Sequence, residues 1–492
     1  MKKRRLIILG IDGMDYDYSM EHVDMLPNIK KLIHEGSVKP FRSVFPPDSI
    51  PAWITCYTGK NPSEHGVLES VNYLAKGNNR LNVDTSVFKG KTFWDIIGNA
   101  GKTVCVINPF MAYPVWPVNG VMVNGPVFID GNIEISAPDL IGDIPVPDNL
   151  GGITDFATKK TLNLFVDKIF ADTEDQATFG TSLFQQYKPD LFFQTFLTMD
   201  RLQHFLWRYC DSNDPTYPGK NKYQDSIKNF YIEIDQVIGR YVALLEPEDK
   251  LIIISDHGHG MRCTHCFNIN EFLRDQGYVK SSAEGKIISL KLIVEKLKNS
   301  VLGFMHKHDL EDYISVIAKF IPNAKQLKKG KHITNDKQNM AYASDFTGTN
   351  PFGGICLNKR LIEDYEKTRD VIIDALKSVR DDGLEVFQWV MKREEMFDGE
   401  YIKRYPDIIF SMNYKYGVNW NLHTKYFTEN PTHKKISGGH KEYGIFFSNI
   451  SSDNIVDDTQ VNITNFFSTI LDIFNIDPSD FSGSQSFLNN QS

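Results

Sequence analysis

The sequence predicts an α/β chain organised around a central parallel sheet, and three observations predict it. The runs Leu6 to Ile11, Leu191 to Leu197 and Leu251 to Ser255 are almost entirely apolar, as strands covered on both faces are. Each gives way to an aspartate, Asp12, Asp200 or Asp256, at the sheet edge where open α/β folds bind their ligands. Between the runs lie long stretches of helical periodicity, among them Asp155 to Tyr187, stopped by Pro189, and Tyr223 to Leu245.

Met-Lys-Lys-Arg-Arg at the start resembles a signal peptide only in its charge. Gly10 and Asp12 interrupt the apolar run and no small-residue cleavage site follows, so Leu6 to Ile11 is a buried strand. Asp12-Gly13 alone would be a plain turn, and Asp15 and Asp17 beyond it read as solvated. Pro27 to Gly36 has helical spacing and a closing glycine. In Val44 to Gly66, Pro46 and Pro47 hold the chain extended, and Ser49 stands just before Pro51, a residue suited to the first turn of a helix. Ser49 is therefore a helix-N-terminal hydroxyl, either a simple N-cap or a group placed where unpaired N–H groups stabilise phosphate. From 68 to 150, short apolar runs alternate with Gly, Pro and Asn, a pattern of sheet plus an excursion over the active edge.

Asp200 and His204 are four residues apart, on one face of any helix that starts there. The third run leads into Asp256-His257-Gly258-His259-Gly260. The segment 279–339 is Lys-rich with helical patterns at Leu290 to Leu297 and Leu310 to Phe320 and no strand signal, hence an inserted lobe or lid whose lysines form a solvated face. Strand-like runs return at Met340 to Leu357, Glu385 to Met391 and Asp407 to Met412, with a helix over Leu361 to Val379. Gly439-His440 lies in a glycine loop ahead of another strand, Val461 to Phe474 is a helix, and the polar tail from Ser479 frays. The expected organisation is a catalytic core of 1–278 and 340–478 with its 68–150 excursion, a 279–339 lobe and a 479–492 tail.

The 492-residue chain carries a net charge of -8, which argues against a surface for duplex nucleic acid. No apolar segment approaches the roughly 20 residues that span a bilayer. Six irregularly spaced cysteines form no disulfide framework, and the expected location is cytoplasmic. Cys263-Thr-His-Cys266 is half a zinc site or redox pair without its other half. Trp53 and the cluster Phe205, Trp207 and Tyr209 read as core.

The polar residues at strand ends collect into Asp12, Asp200, His204, Asp256, His257 and His440, with the Ser49 hydroxyl. Asp/His ligands without Cys suit Zn²⁺ first and Mn²⁺ second, and six of them serve two adjacent ions.

The motifs Ile11-Asp12-Gly13, Ser49-Ile-Pro-Ala-Trp53 with Thr58-Gly59 and His65-Gly66, Met199-Asp200 through His204-Phe205-Leu206-Trp207, Ser255-Asp256-His257-Gly258, and Gly439-His440 before Tyr443-Gly444-Ile445-Phe446 together resemble the alkaline phosphatase superfamily. The branch is the type I phosphodiesterase/nucleotide pyrophosphatases, nearest a cytoplasmic phosphohydrolase/phosphomutase group. The resemblance implies an alkaline-phosphatase-like, mostly parallel sheet flanked by helices with inserted cap segments. It implies one ion on Asp200, His204 and His440, another on Asp12, Asp256 and His257, and Ser49 as the nucleophile bridging toward the second. The implied reaction is attack by Ser49 on phosphorus, a phospho-enzyme, and its hydrolysis.

Two features depart from the family pattern. Where diesterases carry an oxygen-binding Asn stands Ser70, with Asn72 two residues on as the substitute, and Lys60 is a second substrate-binding candidate. His259 replaces an aromatic or apolar residue and reads as an outer partner or a loop histidine, while Arg201 reads as a surface ion-pair former. Arg is missing after Ser49-Ile-Pro-Ala, against sulfatase chemistry. The expected substrate is a small nucleotide, nucleotide sugar or lipid-linked phosphate. Monoester hydrolysis or phosphomutase transfer is the alternative, an inactive scaffold a third, and the oligomeric state is open.

Overall fold

The computed structural model describes residues 5–68, 85–127, 131–151, 157–280, 304, 338–344, 349–456 and 461–489. The chain falls into two compact units, one of Met1–Cys210, Gly219–Gly260 and His440–Ser492, the other of Asp211–Pro218 and Met261–Gly439.

The first unit holds the predicted sheet. Its strands are β1 (Leu6–Ile11), β2 (Ser37–Arg42), β3 (Val104–Ile107), β4 (Gly120–Asn124), β5 (Glu134–Ile135), β6 (Leu191–Phe196), β7 (Lys250–Ile254) and β8 (Tyr443–Ser448), in the order β2-β8-β7-β1-β6-β3-β4-β5. The inner strands are parallel: β1 lies between β6 and β7, with Gly10 opposite Thr195 and Ile254, and β3 lies between β6 and β4. β8 runs antiparallel to β7 and β2, and β5 to β4. The three apolar runs thus become the middle of the sheet, and their aspartates meet at one edge.

Helices α1 (Tyr16–Glu21), α2 (Pro27–Glu35), α3 (Ser49–Thr58), α4 (Leu162–Tyr187), α5 (Thr198–Cys210), α6 (Ser226–Ala243) and α7 (Ile463–Ile473) accompany it. Leu6, Ile8 and Phe193 share a core with Trp53 and Tyr57 of α3 and Phe466 and Phe467 of α7. Phe192, of opposite parity, meets Phe184 of α4 and Tyr241 of α6 at ring separations of 5.4 and 5.6 Å on the other face. Burying one such large apolar side chain contributes roughly 1.5–3 kcal/mol, so both helical layers hold the sheet rigid beneath its polar edge.

The 68–150 stretch contains the expected sheet, since β3, β4 and β5 extend β6 outward, while two expectations about organisation are corrected. The tail does not fray at Ser479: the Ser482 hydroxyl donates to the Gly59 carbonyl at 2.8 Å, and Phe487 is fully buried against Phe446. Apart from Asp211–Pro218, the second unit begins at Met261 rather than 279 and includes most of the 340–478 stretch expected in the core, because it closes its own apolar interior. There the four-stranded antiparallel sheet Ala341–Ala343, Phe352–Leu357, Ile408–Met412, Phe387–Lys392 packs its Ile355, Ile408 and Phe410 with Ile372 and Leu376 of helix Tyr365–Lys377. The 279–339 lobe lies almost wholly outside the described residues. Cys263 and Cys266 are buried free thiols, Asn430 Nδ2 donating to Cys263 Sγ at 3.5 Å, and burial pushes both thiols up. Their motif is structural packing.

Candidate metal centre

β1 delivers Asp12 to the edge, and the chain turns at once through Gly13, whose φ of +73° and close approach to Asp200 leave no room for a side chain. Gly10 serves a second close approach, since a Cβ there would lie 2.6 Å from the Trp53 ring. Trp53 is thereby let in far enough for its indole Nε1 to donate to Asp12 Oδ2 at 3.0 Å. It is core, as expected, but it also aims a carboxylate. The backbone N–H of Asp200 donates to the Asp12 carbonyl at 3.1 Å, tying the first turn of α5 to the end of β1. The predicted spacing of four then brings Asp200 Oδ2 and His204 Nε2 to 3.3 Å. After β7, Ser255 Oγ accepts from Met14 N at 2.8 Å and donates to the His257 carbonyl at 2.7 Å, locking the turn that carries Asp256 and His257.

All six predicted ligands converge. His257 Nε2 lies 3.3 Å from Asp256 Oδ2 and 3.7 Å from Asp12 Oδ1, and its ring stacks on His440 at 3.9 Å. His440 Nε2 lies 3.3 Å from Asp200 Oδ1 and 3.1 Å from His204 Nε2. His440 sits in the short strand Gly438–Lys441 rather than in a loop. The outward nitrogens of two rings are occupied by backbone carbonyls, His440 Nδ1 by Pro47 at 2.9 Å and His257 Nδ1 by Gly258 at 3.0 Å. Each therefore presents Nε2 inward, the arrangement in which histidines ligate metals. The ligand atoms form two groups, Asp12, Asp256 and His257, and Asp200, His204, His259 and His440, each with all its members within 4.8 Å of one another.

Ser49 Oγ lies 3.3 Å from Asp12 Oδ1 and 3.0 Å from His257 Nε2. It occupies the first position inside α3, because Asp48 is the cap and accepts from Ile50 N at 3.1 Å. That corrects the N-cap alternative and also the cradle of unpaired donors: Ile50 N–H is taken by Asp48, Ala52 N–H bonds the Asp48 carbonyl, and Pro51 has none. Within the same segment, Thr55 Oγ1 pairs with His65 Nε2 at 3.1 Å.

Not every candidate joins the site. Lys60 is exposed beyond the far end of α3, about 16 Å along the helix from Ser49. Asn72 and Ser70 lie outside the described residues. Arg201 is no surface residue: it is 6 % exposed, and burial holds its guanidinium down to about 10 despite Asp12 and Asp200 nearby. Asp15 is buried rather than solvated. It caps α1 by accepting from Tyr18 N at 2.9 Å, and it accepts from His259 N at 3.2 Å and Lys441 Nζ at 3.4 Å. His259 is fully buried, not on an open loop. A signal for it was present, because residues 257 and 259 have the same parity across Gly258, and residues two apart share a face of an extended chain.

Three carboxylates packed this closely need compensating positive charge. Burial, and then the charge of Asp200, pushes Asp12 up to about 7. Burial, Asp12 and Asp200 push Asp256 well up. Burial would raise Asp200 too, but the positive charge of His204 and hydrogen bonds from His204 and His440 hold it well below the carboxylate range. Burial lowers His440, yet Asp200 outweighs it and lifts the imidazole to about 9. Asp200 Oδ1 and Asp256 Oδ2 are buried with no well-aligned donor, each meeting only an imidazole Nε2 at 3.3 Å or more. Buried carboxylate oxygens beside inward imidazole nitrogens are a donor set that fits divalent cations.

A pH dependence follows. Asp12 and His440 both have folded values above their ordinary 3.8 and 6.5, so the metal-free fold binds these protons more tightly than the unfolded chain does. The stability they lend is complete below the ordinary values and is lost as pH rises through about 7 for Asp12 and about 9 for His440. The thermal midpoint of chelator-stripped protein should fall between about pH 4 and 9, the Asp12 part by about pH 7 and the His440 part above about pH 6.5, and saturating divalent ion should abolish that fall. A flat metal-free profile would contradict the shared protons.

The family model described as Type I phosphodiesterase / nucleotide pyrophosphatase matches residues 6–439. No curated protein matches the sequence. Among solved structures, phosphonoacetate hydrolase from Sinorhizobium meliloti 1021 in complex with phosphonoformate is similar over 94 % of each chain, with a TM-score of 0.54 and 15 % identity. Its complex with phosphonoacetate gives 0.54 and 14 % over the same shares. Human ectonucleotide pyrophosphatase / phosphodiesterase 5 is matched over 99 % of this chain and 100 % of that chain, with a TM-score of 0.47 and 13 % identity. The hydrolase likeness is one of fold, an alkaline-phosphatase-like α/β sheet.

Proposed function

The chain belongs to the type I phosphodiesterase / nucleotide pyrophosphatase family, and from that premise we propose that it cleaves phosphodiester or phosphoanhydride bonds of small phosphorylated molecules through a Ser49 phospho-enzyme at a centre of two divalent ions. That it is a phosphoric ester hydrolase rests on the family. The observation that carries the finer reading is the Ser49 hydroxyl, within 3.3 Å of Asp12 and His257 of the Asp/His cluster.

Asp200, His204 and His440 would hold one ion and Asp12, Asp256 and His257 the other, and bound ions there would supply positive charge for the phosphoryl oxygens. Zn²⁺ suits the mixed nitrogen and oxygen donors best, Mn²⁺ next. Ser49 is oriented by Asp12 Oδ1, to which its Oγ–H donates. In the proposed step the Oγ–P bond forms as the bond from phosphorus to the leaving oxygen breaks, the Oγ proton departing along that hydrogen bond, and water then cleaves the Oγ–P bond to restore the serine. Trp53 holds Asp12 Oδ2 by its indole N–H, and the fully buried Asp256 and His257 keep bulk water from that side.

Nucleotides, nucleotide sugars and lipid-linked phosphates are the proposed substrates. A cytoplasmic location is supported by six cysteines that are all free; among the described residues no helix is long and apolar enough to cross a membrane. One observation favours the monoester or phosphomutase reading: the buried Arg201 guanidinium, whose charge Asp12 feels, is the kind of cation that a dianionic phosphate requires.

Chelator-stripped protein reloaded with Zn²⁺ or Mn²⁺ tests both. Bis-p-nitrophenyl phosphate should be turned over faster than p-nitrophenyl phosphate, and only with metal. The opposite ranking would establish the monoester reading, and metal-independent or absent turnover of both would overturn the proposal.

A further inference from the structure

His259 is a buried imidazole to which the six-ligand reading gives no task. It is 0 % exposed, and neither Nδ1 nor Nε2 has a hydrogen-bond partner, a standing cost that folded proteins rarely leave unanswered. Its neighbours hold it deliberately. Its backbone N–H is taken by Asp15 Oδ2 at 3.2 Å, and its ring stacks on Trp207 with centroids 5.9 Å apart. The side chain is thereby held against the ring of His204, 4.7 Å between centroids, with Nε2 at 3.5 Å from Asp200 Oδ1. His257 and His440 each commit one nitrogen to a backbone carbonyl; His259 commits neither.

The distances within this half of the centre follow a pattern. His204 Nε2 to His440 Nε2 is 3.1 Å, His204 Nε2 to Asp200 Oδ2 is 3.3 Å, His440 Nε2 to Asp200 Oδ1 is 3.3 Å, and His259 Nε2 to Asp200 Oδ1 is 3.5 Å. A tetrahedron of donors around an ion with bonds of about 2.1 Å has edges of about 3.4 Å. His259 fits that figure by its 3.5 Å to Asp200 Oδ1, and the ligand atoms of all four residues lie within 4.8 Å of one another.

We propose that His259 is a fourth protein ligand, with Asp200, His204 and His440, of the ion at this end of the centre. The inference rests on the two-ion reading and goes beyond it by making the halves unequal. Four protein donors would make the ion at Asp200 the more tightly held of the two. The half beside Ser49 has three, Asp12, Asp256 and His257.

Chelator-stripped full-length protein titrated with Co²⁺, and with Zn²⁺ against a chromophoric chelator, tests this without reference to turnover. The wild type should bind two ions, the tighter giving the intense visible band of four-coordinate Co²⁺ at one equivalent. His259→Phe keeps the ring's bulk and removes its donors. It should weaken the tight step by at least about 100-fold, since even loss of a residue that merely supports a ligand costs 10–100-fold, and should exchange the intense band for a weak one while the second step is unchanged. Two ions bound with unaltered affinities and an unaltered spectrum in His259→Phe would overturn the fourth ligand and leave the two-ion reading standing. A wild type that binds no ion would overturn both. Should His259→Phe fail to fold, the wild-type spectrum at one equivalent decides: a weak five- or six-coordinate band refutes the fourth ligand, and the intense band supports it.

Discussion

Ser49→Ala is expected to lower kcat by at least ~10³-fold on every substrate the wild type cleaves, about 4 kcal/mol in the barrier. The serine hydroxyl contributes little to the fold, so the loss should not be one of structure. Ser49 is half-buried at the first position of α3, the cap is supplied by Asp48, and alanine is at least as good a helix former. The change removes the oxygen held between Asp12 Oδ1 and His257 Nε2 and leaves the Asp/His cluster otherwise intact. Metal content and thermal midpoint should therefore match the wild type while turnover collapses. Intact-mass measurement after a rapid quench should show a phosphorylated wild type and an unphosphorylated variant. Full turnover in Ser49→Ala would end the nucleophile assignment, whatever the metals do.

How much of this was legible follows from which interactions are local. Parallel strands buried on both faces must be apolar throughout, so Leu6 to Ile11, Leu191 to Leu197 and Leu251 to Ser255 stood out, and an aspartate after each fell at the sheet's edge without further information. Asp200 and His204 were legible because helical spacing is local. Asp15 was not. What buries it comes from Tyr231 on α6 and from Lys441, more than 200 and 400 residues away, and no pattern around Asp15 reports them. His259 lay between the two cases. Its parity with His257 was written in the chain, but whether Gly258 continues extended is set by the Tyr443 carbonyl, which packs where a side chain on Gly258 would stand. The strands of the four-stranded sheet in the second unit lay within visible apolar runs, yet periodicity does not say which sheet a strand joins. The pairing of Phe352–Leu357 with Ile408–Met412 took them out of the expected core. The tail failed for the same reason, since Phe487 looks like the end of a polar segment until Phe446 meets it.

Asp256→Asn should separate function from stability, moving them in opposite directions. In the metal-free protein, Asp256 is buried between Asp12 and Asp200, which together with burial push its carboxyl well up, and its Oδ2 has no well-aligned donor. Asparagine has nearly the same shape, can still accept from Gly13 N as Asp256 Oδ1 does at 3.3 Å, and carries no charge for its neighbours to repel. Removing that repulsion should raise the stability of chelator-stripped protein by about 1 kcal/mol, the scale of gains that sites kept strained for function commonly yield. With metal the sign reverses. A neutral amide beside Asp12 and His257 is a poor substitute for an anionic donor, so one ion should be lost and kcat should fall at least ~10³-fold, as when a group used chiefly in the transition state is removed. Calorimetry with and without Zn²⁺ and metal counting by emission spectroscopy measure the two sides independently. A variant less stable than wild type in chelator would mean that Asp256 is a structural carboxylate. One that keeps two ions and full turnover would remove it from the centre.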